Sequence, residues 1–251
     1  MARPDQHHAL SVGELRQELA LASHILFHQG ILDAFGHVSV RDPADPARFY
    51  LSRNLAPALV RADDVLRFDL DGELVEQADQ KVFLERFIHA EVYRARPDVQ
   101  AVVHSHSPAV LPFGVVDGVN LRAVSHMGGF IGAGAPLFDI RCCAGEQSDM
   151  LIRNSELGRH LALSLGDAAL VLMRGHGITI VGGSLRQAVF RAVYAERNAR
   201  IQLDAMRLGP VCYLSDMEAA NAARANDGQA GRAWDFWALQ VDGAIAPGAT
   251  G

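Results

Sequence analysis

Residues 99–106 read Val-Gln-Ala-Val-Val-His-Ser-His, an apolar run that ends in two histidines separated by one residue. A short apolar run of this kind predicts a buried β-strand. Because side chains alternate between the two faces of a strand, His104 and His106 leave the same face. Two imidazoles on one face at a strand end can share a divalent cation. The stretch therefore predicts a central strand of the fold and half of a metal site.

Two more side chains complete a candidate set of ligands. Glu85 lies on a predicted helix upstream, and His176 lies between two glycines in Arg174-Gly175-His176-Gly177, after the apolar run 168–173. Three imidazoles and a carboxylate suit zinc, manganese, iron or cobalt, and suit calcium poorly. The alternative is that the three histidines are hydrogen-bonded residues of the core and that Glu85 is a solvated carboxylate beside them. His89 follows Glu85 by four residues and could be a fifth ligand or a partner that orients a ligand.

Composition limits the classes of function. The 251 residues are 49% hydrophobic and 21% charged, with a formal net charge of −6 and no basic block, so we expect no nucleic-acid partner. No apolar run approaches the roughly 20 residues of a membrane span, so we expect no membrane partner. The first residues lack the apolar core of a secretory signal, which favours a cytoplasmic protein. The three cysteines fit neither a disulfide framework nor zinc-finger spacing.

Periodicity and turn residues divide the chain into helices and strands that alternate. The predicted helices are 11–30, 81–94, 154–165 and a final long helix, 184–208. The predicted strands are 36–41, 49–52, two short strands within 65–75, 99–106, 168–173 and 177–181, and the Gly-rich stretch 119–144 is expected to form strands and loops around a cavity. This order favours a single α/β domain with a mixed central sheet and helices on its faces. We divide the chain into a disordered segment 1–10, a catalytic domain 11–210 and a C-terminal extension 211–251 anchored by Trp234 and Trp237.

The candidate ligands and their spacing are similar to those of the class II aldolase/adducin family. The similarity rests on Glu85, on His104 and His106 nineteen and twenty-one residues later, and on His176 in its Arg-Gly-His-Gly loop. It implies a single-domain α/β/α sandwich with a mixed, mostly antiparallel sheet. It also implies a homotetramer with active sites between subunits, where the C-terminal extension would pack at an interface. The three histidines and usually the Glu would hold the divalent metal, manganese or zinc in the first place and iron or cobalt otherwise.

Departures from the sugar-phosphate aldolases of this family narrow the substrate. Those enzymes bind phosphate through an Asn after the first glycine, a hydroxyl-Gly pair in the hairpin loop and a Ser-Ser pair before the Glu. The corresponding positions here hold His37, the loop Ser52-Arg53-Asn54-Leu55, and Phe83-Leu84. Bulky side chains hinder the approach of backbone to a phosphate, which argues against a phosphorylated sugar. The runs 35–41, 84–89 and 173–177 instead resemble the branch that decarboxylates hydroxylated aromatic or pyridine dicarboxylates.

This resemblance and the chemistry of CO2 loss predict individual roles. An ortho hydroxyl places the carboxylate β to a carbonyl in its keto tautomer, and a metal bound to that oxygen can stabilise the enolate-like charge. We expect the metal to be held by His104, His106, His176 and Glu85. We expect the product carbon to take its proton from Glu85, His37 or His126. We expect the substrate carboxylate to be bound by Ser39, Ser52 and Arg53, with Arg53 as a two-point clamp.

Two other functions are kept open by the sequence. An aldolase or epimerase acting on an unphosphorylated sugar or hydroxy acid would use the same metal-stabilised enolate. A non-catalytic interaction module, as in the adducin heads of this family, would lack the metal histidines, whereas this chain keeps all of them. The expected activity is therefore that of a carbon–carbon lyase, a carboxy-lyase first and an aldehyde-lyase second.

Overall fold

Seven strands form one sheet in the order β3-β2-β1-β4-β7-β6-β5 in a computed structural model, which describes residues 11–76 and 79–243. The strands are β1 (His37–Arg41), β2 (Arg48–Ser52), β3 (Val65–Asp69), β4 (Ala101–Ser105), β5 (Leu137–Phe138), β6 (Leu170–Met173) and β7 (Gly177–Gly182). Neighbouring strands pair antiparallel, except that β5 runs parallel to β6. The predicted mixed, mostly antiparallel sheet is confirmed.

Helices cover both faces of this sheet. They are α1 (Val12–His28), α2 (Arg86–Ala95), α3 (Arg141–Ala144), α4 (Ser155–Leu165), α5 (Leu185–Leu208), α6 (Asp216–Asp227) and α7 (Ala230–Val241). Side chains of Ser11, Asn154 and Ser184 accept hydrogen bonds from the first turns of α1, α4 and α5, and so satisfy backbone N–H groups that have no partner inside the helix. These three helices were predicted.

The alternation of β4 separates two apolar layers. Val103 packs in the layer formed with α1, α5 and α7, whereas Val102 packs in the layer formed with α2 and α4. We call these the α5 face and the α2 face of the sheet. His104 has the same parity as Val102, so its side chain lies on the α2 face. This α/β/α arrangement agrees with the predicted fold class.

The helix predicted over 81–94 is wrong in its first five residues. The backbone carbonyl of Lys81 accepts a hydrogen bond of 2.7 Å from the amide of Asn54, which holds this segment against the β2–β3 loop. The helix begins only at Arg86 and leaves Glu85 at its N-terminal boundary. The apolar residues Val82 and Phe83 pack on the α2-face core from this non-helical segment, which explains why they fitted a helical period.

Three further predictions need correction. Within 65–75 only β3 forms a strand, and Leu74 contributes a single bridge to Phe68. The stretch 119–144 contains a 3₁₀ helix, His126–Ile131, the two-residue β5 and the short α3, so strands are a small part of it.

The helix 184–208 is also not the final one, because α6 and α7 follow it. Trp234 and Trp237 of α7 are 3% exposed and pack in the α5-face core of the same chain, as anchors. The predictions for residues 1–10 and 244–251 lie outside the described residues. In the part of the chain that the structure covers, no helix combines the length and the apolar character needed to cross a membrane.

Candidate metal centre

Four side chains that are remote in sequence converge at one end of the sheet. One potential ligand atom from each of Glu85, His104, His106 and His176 lies within 4.8 Å of the other three. The Nε2 atoms of His104 and His106 are 3.2 Å apart, and Oε2 of Glu85 is 3.6 Å from Nε2 of His104 and from Nε2 of His176. The sequence prediction that these four residues lie together is therefore confirmed as a matter of geometry.

The strand pairing explains how the histidines meet. His104 is the fourth residue of β4, and β7 runs antiparallel beside it, with Ser105 opposite Ile178. His176 directly precedes β7, so this pairing brings it beside the end of β4. A Cβ atom at Gly177 would lie 2.1 Å from the Ser105 carbonyl oxygen. Only glycine allows the two strands to approach this closely.

Backbone groups orient three of the four side chains. His104 Nδ1 lies 3.2 Å from the Ile178 carbonyl and His176 Nδ1 lies 3.0 Å from the Met150 carbonyl. An Nδ1–H group that donates to a carbonyl leaves Nε2 with a free lone pair, which is the form that binds a metal. Oε1 of Glu85 accepts a 3.1 Å hydrogen bond from the Ile152 amide, which leaves Oε2 facing the histidines.

The segment that supplies these contacts is itself unusual. Met150 has φ +67, the only positive φ of a non-glycine residue in residues 11–76 and 79–243. This conformation costs an L-residue of the order of 1–2 kcal/mol. The Met150 carbonyl and the Ile152 amide were not predicted as functional groups, and no sequence pattern signals them because both act through the backbone.

Burial sets the protonation of the cluster. It lowers the pKa of His176 to about 4 and lowers the pKa of His104 well below its ordinary value. Burial also raises the pKa of Glu85 to about 7, while the Ile152 amide and the Arg153 charge act in the opposite direction. The two imidazoles are therefore neutral near pH 7, with lone pairs available for a cation.

The donor set fits a transition-metal or zinc ion. Three neutral imidazole nitrogens and one carboxylate oxygen match the ligands that zinc and manganese accept, and each member has a suitable free atom. His104 is 0% exposed and Glu85 is 9% exposed, so a bound cation would be held away from bulk water on one side. These four side chains could therefore hold a cation that stays open to an oxygen ligand on its other side.

Apolar side chains lie near this cluster. We call Phe35, Leu84, Val115 and Met150 the apolar rim. The Phe35 ring centroid lies 6.5 Å from that of His106, and Leu84 precedes Glu85 in the chain. Val115 Cγ1 and Met150 Sδ lie 3.9 and 3.8 Å from the Cβ position of Gly175, next to His176. All four are partly exposed, between 37% and 67%.

His37 lies beside the cluster, as predicted. Its ring centroid is 5.2 Å from that of His104 and 4.5 Å from that of Phe83. Burial lowers its pKa well below the ordinary value, and the neighbouring His89, His106 and His176 act in the same direction. His37 and Phe83 are two of the positions at which the sequence was predicted to depart from the phosphate-binding residues of sugar-phosphate aldolases.

Ser39 and Ser52 do not lie where a substrate could reach them. Ser39 is 0% exposed and is enclosed between His89 and Tyr93. Ser52 pairs with Val65, which belongs to the α5-face core, so its side chain lies on the opposite face from His104. Alternation along a strand gives the face of a residue but not its depth, and the prediction that these serines bind substrate is corrected on both counts.

Arg53 and His126 also have partners that the sequence did not reveal. Arg53 Nε donates to Asp64 Oδ1 at 2.6 Å, and its side chain stays 35% exposed. His126 lies in the 3₁₀ helix that packs on α5 and α6, on the α5 face, where its backbone carbonyl accepts from Asn226. Within one chain it is separated by the sheet from the cluster on the α2 face. Its role in the site therefore stays a prediction that depends on a neighbouring subunit.

A family comparison covers most of the chain. Residues 17–203 match the model of the class II aldolase and adducin N-terminal domain. All four members of the cluster lie within this range.

Several curated relatives carry decarboxylase names. The decarboxylase tropJ of Talaromyces stipitatus is 41% identical over 242 residues, which cover 87% of this chain and 91% of the relative. The 3,4-dihydroxyphthalate decarboxylase of Arthrobacter keyseri is 32% identical over 208 residues, covering 77% of this chain and 79% of the relative.

Solved structures agree on the fold. The L-fuculose 1-phosphate aldolase of Glaciozyma antarctica superposes with a TM-score of 0.75 at 23% identity, over 96% of each chain. An aldolase II superfamily protein of Pseudomonas syringae gives a TM-score of 0.77 at 19% identity, over 95% of this chain and 96% of the other. The chain therefore belongs to the class II aldolase and adducin family, in its decarboxylase branch, and is a carbon–carbon lyase of the carboxy-lyase class.

Proposed function

We propose that this protein is a metal-dependent decarboxylase of an ortho-hydroxylated aromatic or pyridine carboxylate or dicarboxylate. The observation that carries the proposal is the convergence of His104, His106, His176 and Glu85 on one point. These four side chains would hold the cation, zinc or manganese in the first place. When bound, the cation would supply Lewis-acid stabilisation of the negative charge that develops on an ortho oxygen.

The apolar rim supports an aromatic substrate. A flat ring with its polar groups directed at the cluster would place its edge and face against side chains such as Phe35 and Leu84. Aromatic contacts of this kind contribute about 0.5–1.5 kcal/mol beyond the area they bury. A sugar carries hydroxyl groups on all sides. It would gain little from contact with these apolar side chains, and hydroxyl groups placed against them would lack hydrogen-bond partners.

The reaction needs a proton delivered to the ring and an electron pair held on oxygen. A proton first adds to the ring carbon that bears the carboxylate, which gives the keto tautomer with the ortho oxygen as a carbonyl. The bond between this carbon and the carboxylate then breaks, CO2 leaves, and the electron pair moves onto the ortho oxygen, which restores the aromatic ring as a phenolate. Once substrate is bound and this carboxylate no longer serves as a ligand, Glu85 would deliver that proton from Oε2, because burial raises its pKa to about 7.

A second carboxylate of the substrate could be held at the edge of the site. Arg53 uses Nε for Asp64, so its terminal amino groups stay available in a side chain that is 35% exposed. The hydrogen bond between the Asn54 amide and the Lys81 carbonyl ties its loop to the segment that leads to Glu85. We therefore keep Arg53 as the proposed carboxylate clamp.

We also propose a homotetramer with sites shared between subunits. Some apolar side chains are exposed near the ends of α5 and α6, such as Leu208 at 92% and Met217 at 69%. Their exposure supports a contact with a neighbouring subunit at this surface. In such an assembly His126 could serve only a neighbouring subunit's site. Light scattering of the purified protein tests this, and a monodisperse monomer would contradict it.

The activity is tested by CO2 release. Protein stripped with a chelator and reloaded with zinc or manganese should release CO2 from ortho-hydroxy aromatic acids and not from the matching acids without the hydroxyl. His104→Ala should abolish release, whereas His28→Ala, which removes an exposed imidazole at the end of α1, should not. Release of an aldehyde from a hydroxy acid, with no CO2 from any ring acid, would refute the proposal and favour aldol cleavage.

A further inference from the structure

Four buried polar side chains form a hydrogen-bonded chain that leads to the metal centre. The Tyr93 hydroxyl lies 2.7 Å from Ser39 Oγ, Ser39 Oγ lies 2.6 Å from His89 Nδ1, and His89 Nε2 lies 2.7 Å from His37 Nδ1. Exposure rises along the chain from 0–1% at Tyr93, Ser39 and His89 to 5% at His37. Tyr93, Ser39 and His89 are not members of the ligand cluster. Metal binding by these residues therefore does not explain why three hydrogen-bonding side chains are buried beside the site.

The direction of the protons follows from the Tyr93 end. Burial raises the pKa of Tyr93, so the phenol keeps its proton, and Ser39 Oγ is its only acceptor among the described residues. Since Ser39 Oγ accepts from Tyr93, its own proton goes to His89 Nδ1. Burial lowers the pKa of His89 to about 3, so this ring carries one proton, which must then lie on Nε2 and be donated to His37 Nδ1.

The opposite direction is disfavoured by the same contacts. If His37 donated to His89 and each later group donated onward, the Tyr93 hydroxyl would receive a hydrogen bond and have no acceptor for its own proton within residues 11–76 and 79–243. Tyr93 is 1% exposed, so water cannot serve instead. Folded proteins rarely leave a buried donor without a partner.

We propose that Tyr93, Ser39 and His89 are positioning residues that fix His37 as an N–H donor at Nε2, directed at an anionic oxygen of the substrate. With Nδ1 accepting from His89, the proton of His37 lies on Nε2, which has no hydrogen-bond partner among the described residues. The adjacent His104 ring is 5.2 Å away, so this donor opens beside the proposed cation.

Two consequences follow for the site. A protonated Nε2 cannot bind a cation, so His37 is not a fourth imidazole ligand although its ring is about as close to His104 as the rings of His106 and His176 are. A fixed N–H donor also selects for a carboxylate or phenolate oxygen over a hydroxyl group that must itself donate. This part of the inference rests on the proposed function, because it assigns the donor to that substrate.

The tautomer of His37 can be measured in the resting protein. Protein with ¹⁵N-labelled histidine is examined by NMR near neutral pH, and His37→Gln and His89→Gln variants assign the two rings by loss of their signals. The expected result is a proton on Nε2 of both His37 and His89, with and without zinc. A proton on Nδ1 of His37 would overturn the inference.

A second variant tests the origin of this tautomer. In Tyr93→Phe the donor that sets the direction is lost, so we expect a share of His37 to be protonated on Nδ1. An unchanged tautomer would overturn the role given to the chain. The NMR measurement needs no substrate, so a failure of CO2 release would refute the proposed function without deciding the state of His37.

Kinetics separate positioning from general damage. Ser39→Ala should raise KM for the ring acid by about tenfold, the effect of weakening a hydrogen bond to a charged group, with unchanged zinc affinity. Ser39→Thr keeps the hydroxyl and should restore most of the loss. Ser23→Ala, which removes another buried serine hydroxyl bonded to the Leu19 carbonyl on α1, is the matched control and should leave KM unchanged. Loss of zinc binding in Ser39→Ala, or no change in KM, would overturn the inference.

Discussion

Gly177 allows the contact between β4 and β7 to be tested with a single methyl group. A Cβ atom at this position would lie 2.1 Å from the Ser105 carbonyl oxygen and 3.2 Å from His106 Cα. Both neighbours are backbone atoms of the strand end that carries the two histidines, so neither can rotate away. Gly177→Ala must therefore move β7 and His176 relative to His104 and His106.

The size of the effect follows from the overlap. Overpacking of this kind costs about 1–3 kcal/mol, which for a chain of this size lowers Tm by roughly 2–12 °C. Changes in the groups that orient metal ligands typically reduce metal affinity by about 10–100-fold, and we expect a loss of zinc affinity of this size. The assays are thermal unfolding of the metal-free protein and calorimetric titration with zinc.

Gly183→Ala is the matched control. Its Cβ would meet only Gln187 Oε1, at the ordinary contact distance of 3.5 Å, just beyond the end of β7. We expect its free energy of unfolding to stay within about 0.5 kcal/mol of the parent. If Gly177→Ala matched this control in both Tm and zinc affinity, the close approach of the two strands, and the site built on it, would be refuted.

Three other predictions concern groups around the centre. Burial lowers the pKa of His89 from 6.5 to about 3, so at mildly acidic pH the unfolded chain binds a proton at His89 that the folded protein does not bind. The free energy of unfolding should therefore fall by about 1.4 kcal/mol per pH unit as pH drops below about 6.5. Urea unfolding of the metal-free His89→Gln variant should lack this contribution, and the same pH dependence in parent and variant would contradict the prediction. Met150→Gly should relieve the positive φ and raise the free energy of unfolding by up to about 1–2 kcal/mol while its carbonyl still orients His176, and a lower stability would contradict this. Phe35→Ala should raise KM for the ring acid about twofold to tenfold with unchanged zinc affinity, whereas Phe236→Ala, an equally apolar exposed change on α7, should have no effect, and equal KM values in the two variants would count against the apolar rim.

The sequence was sufficient to predict which four side chains form the cluster, because local strand and helix patterns determine their positions. Alternation on a strand places His104 and His106 on one face, and the apolar strand before His176 returns that residue to the same end of the sheet. Glu85 was also identified, although the helix assigned to it begins one residue later. Val82 and Phe83 fitted the apolar spacing of a helix. The hydrogen bond between the Lys81 carbonyl and the Asn54 amide instead holds this segment in a non-helical conformation.

The surroundings of the cluster depend on tertiary contacts that no local pattern contains. His37 and Ser39 share a face of β1, but His37 lies beside the candidate metal ligands and Ser39 lies deeper, under α2. The Met150 carbonyl acts through an uncommon backbone conformation. The helices α6 and α7 were missed because an Ala-, Asn- and Gly-rich composition carries a weak periodic signal, and the capping box at Ser215 was overlooked.

A crystal structure of the zinc-loaded protein, with anomalous scattering at the zinc edge, tests the central claim most directly. The account predicts one zinc per chain, bound by Nε2 of His104, His106 and His176 and by Oε2 of Glu85 at about 2.0–2.2 Å. A zinc ion elsewhere, or a fully active protein that contains no metal, would contradict it.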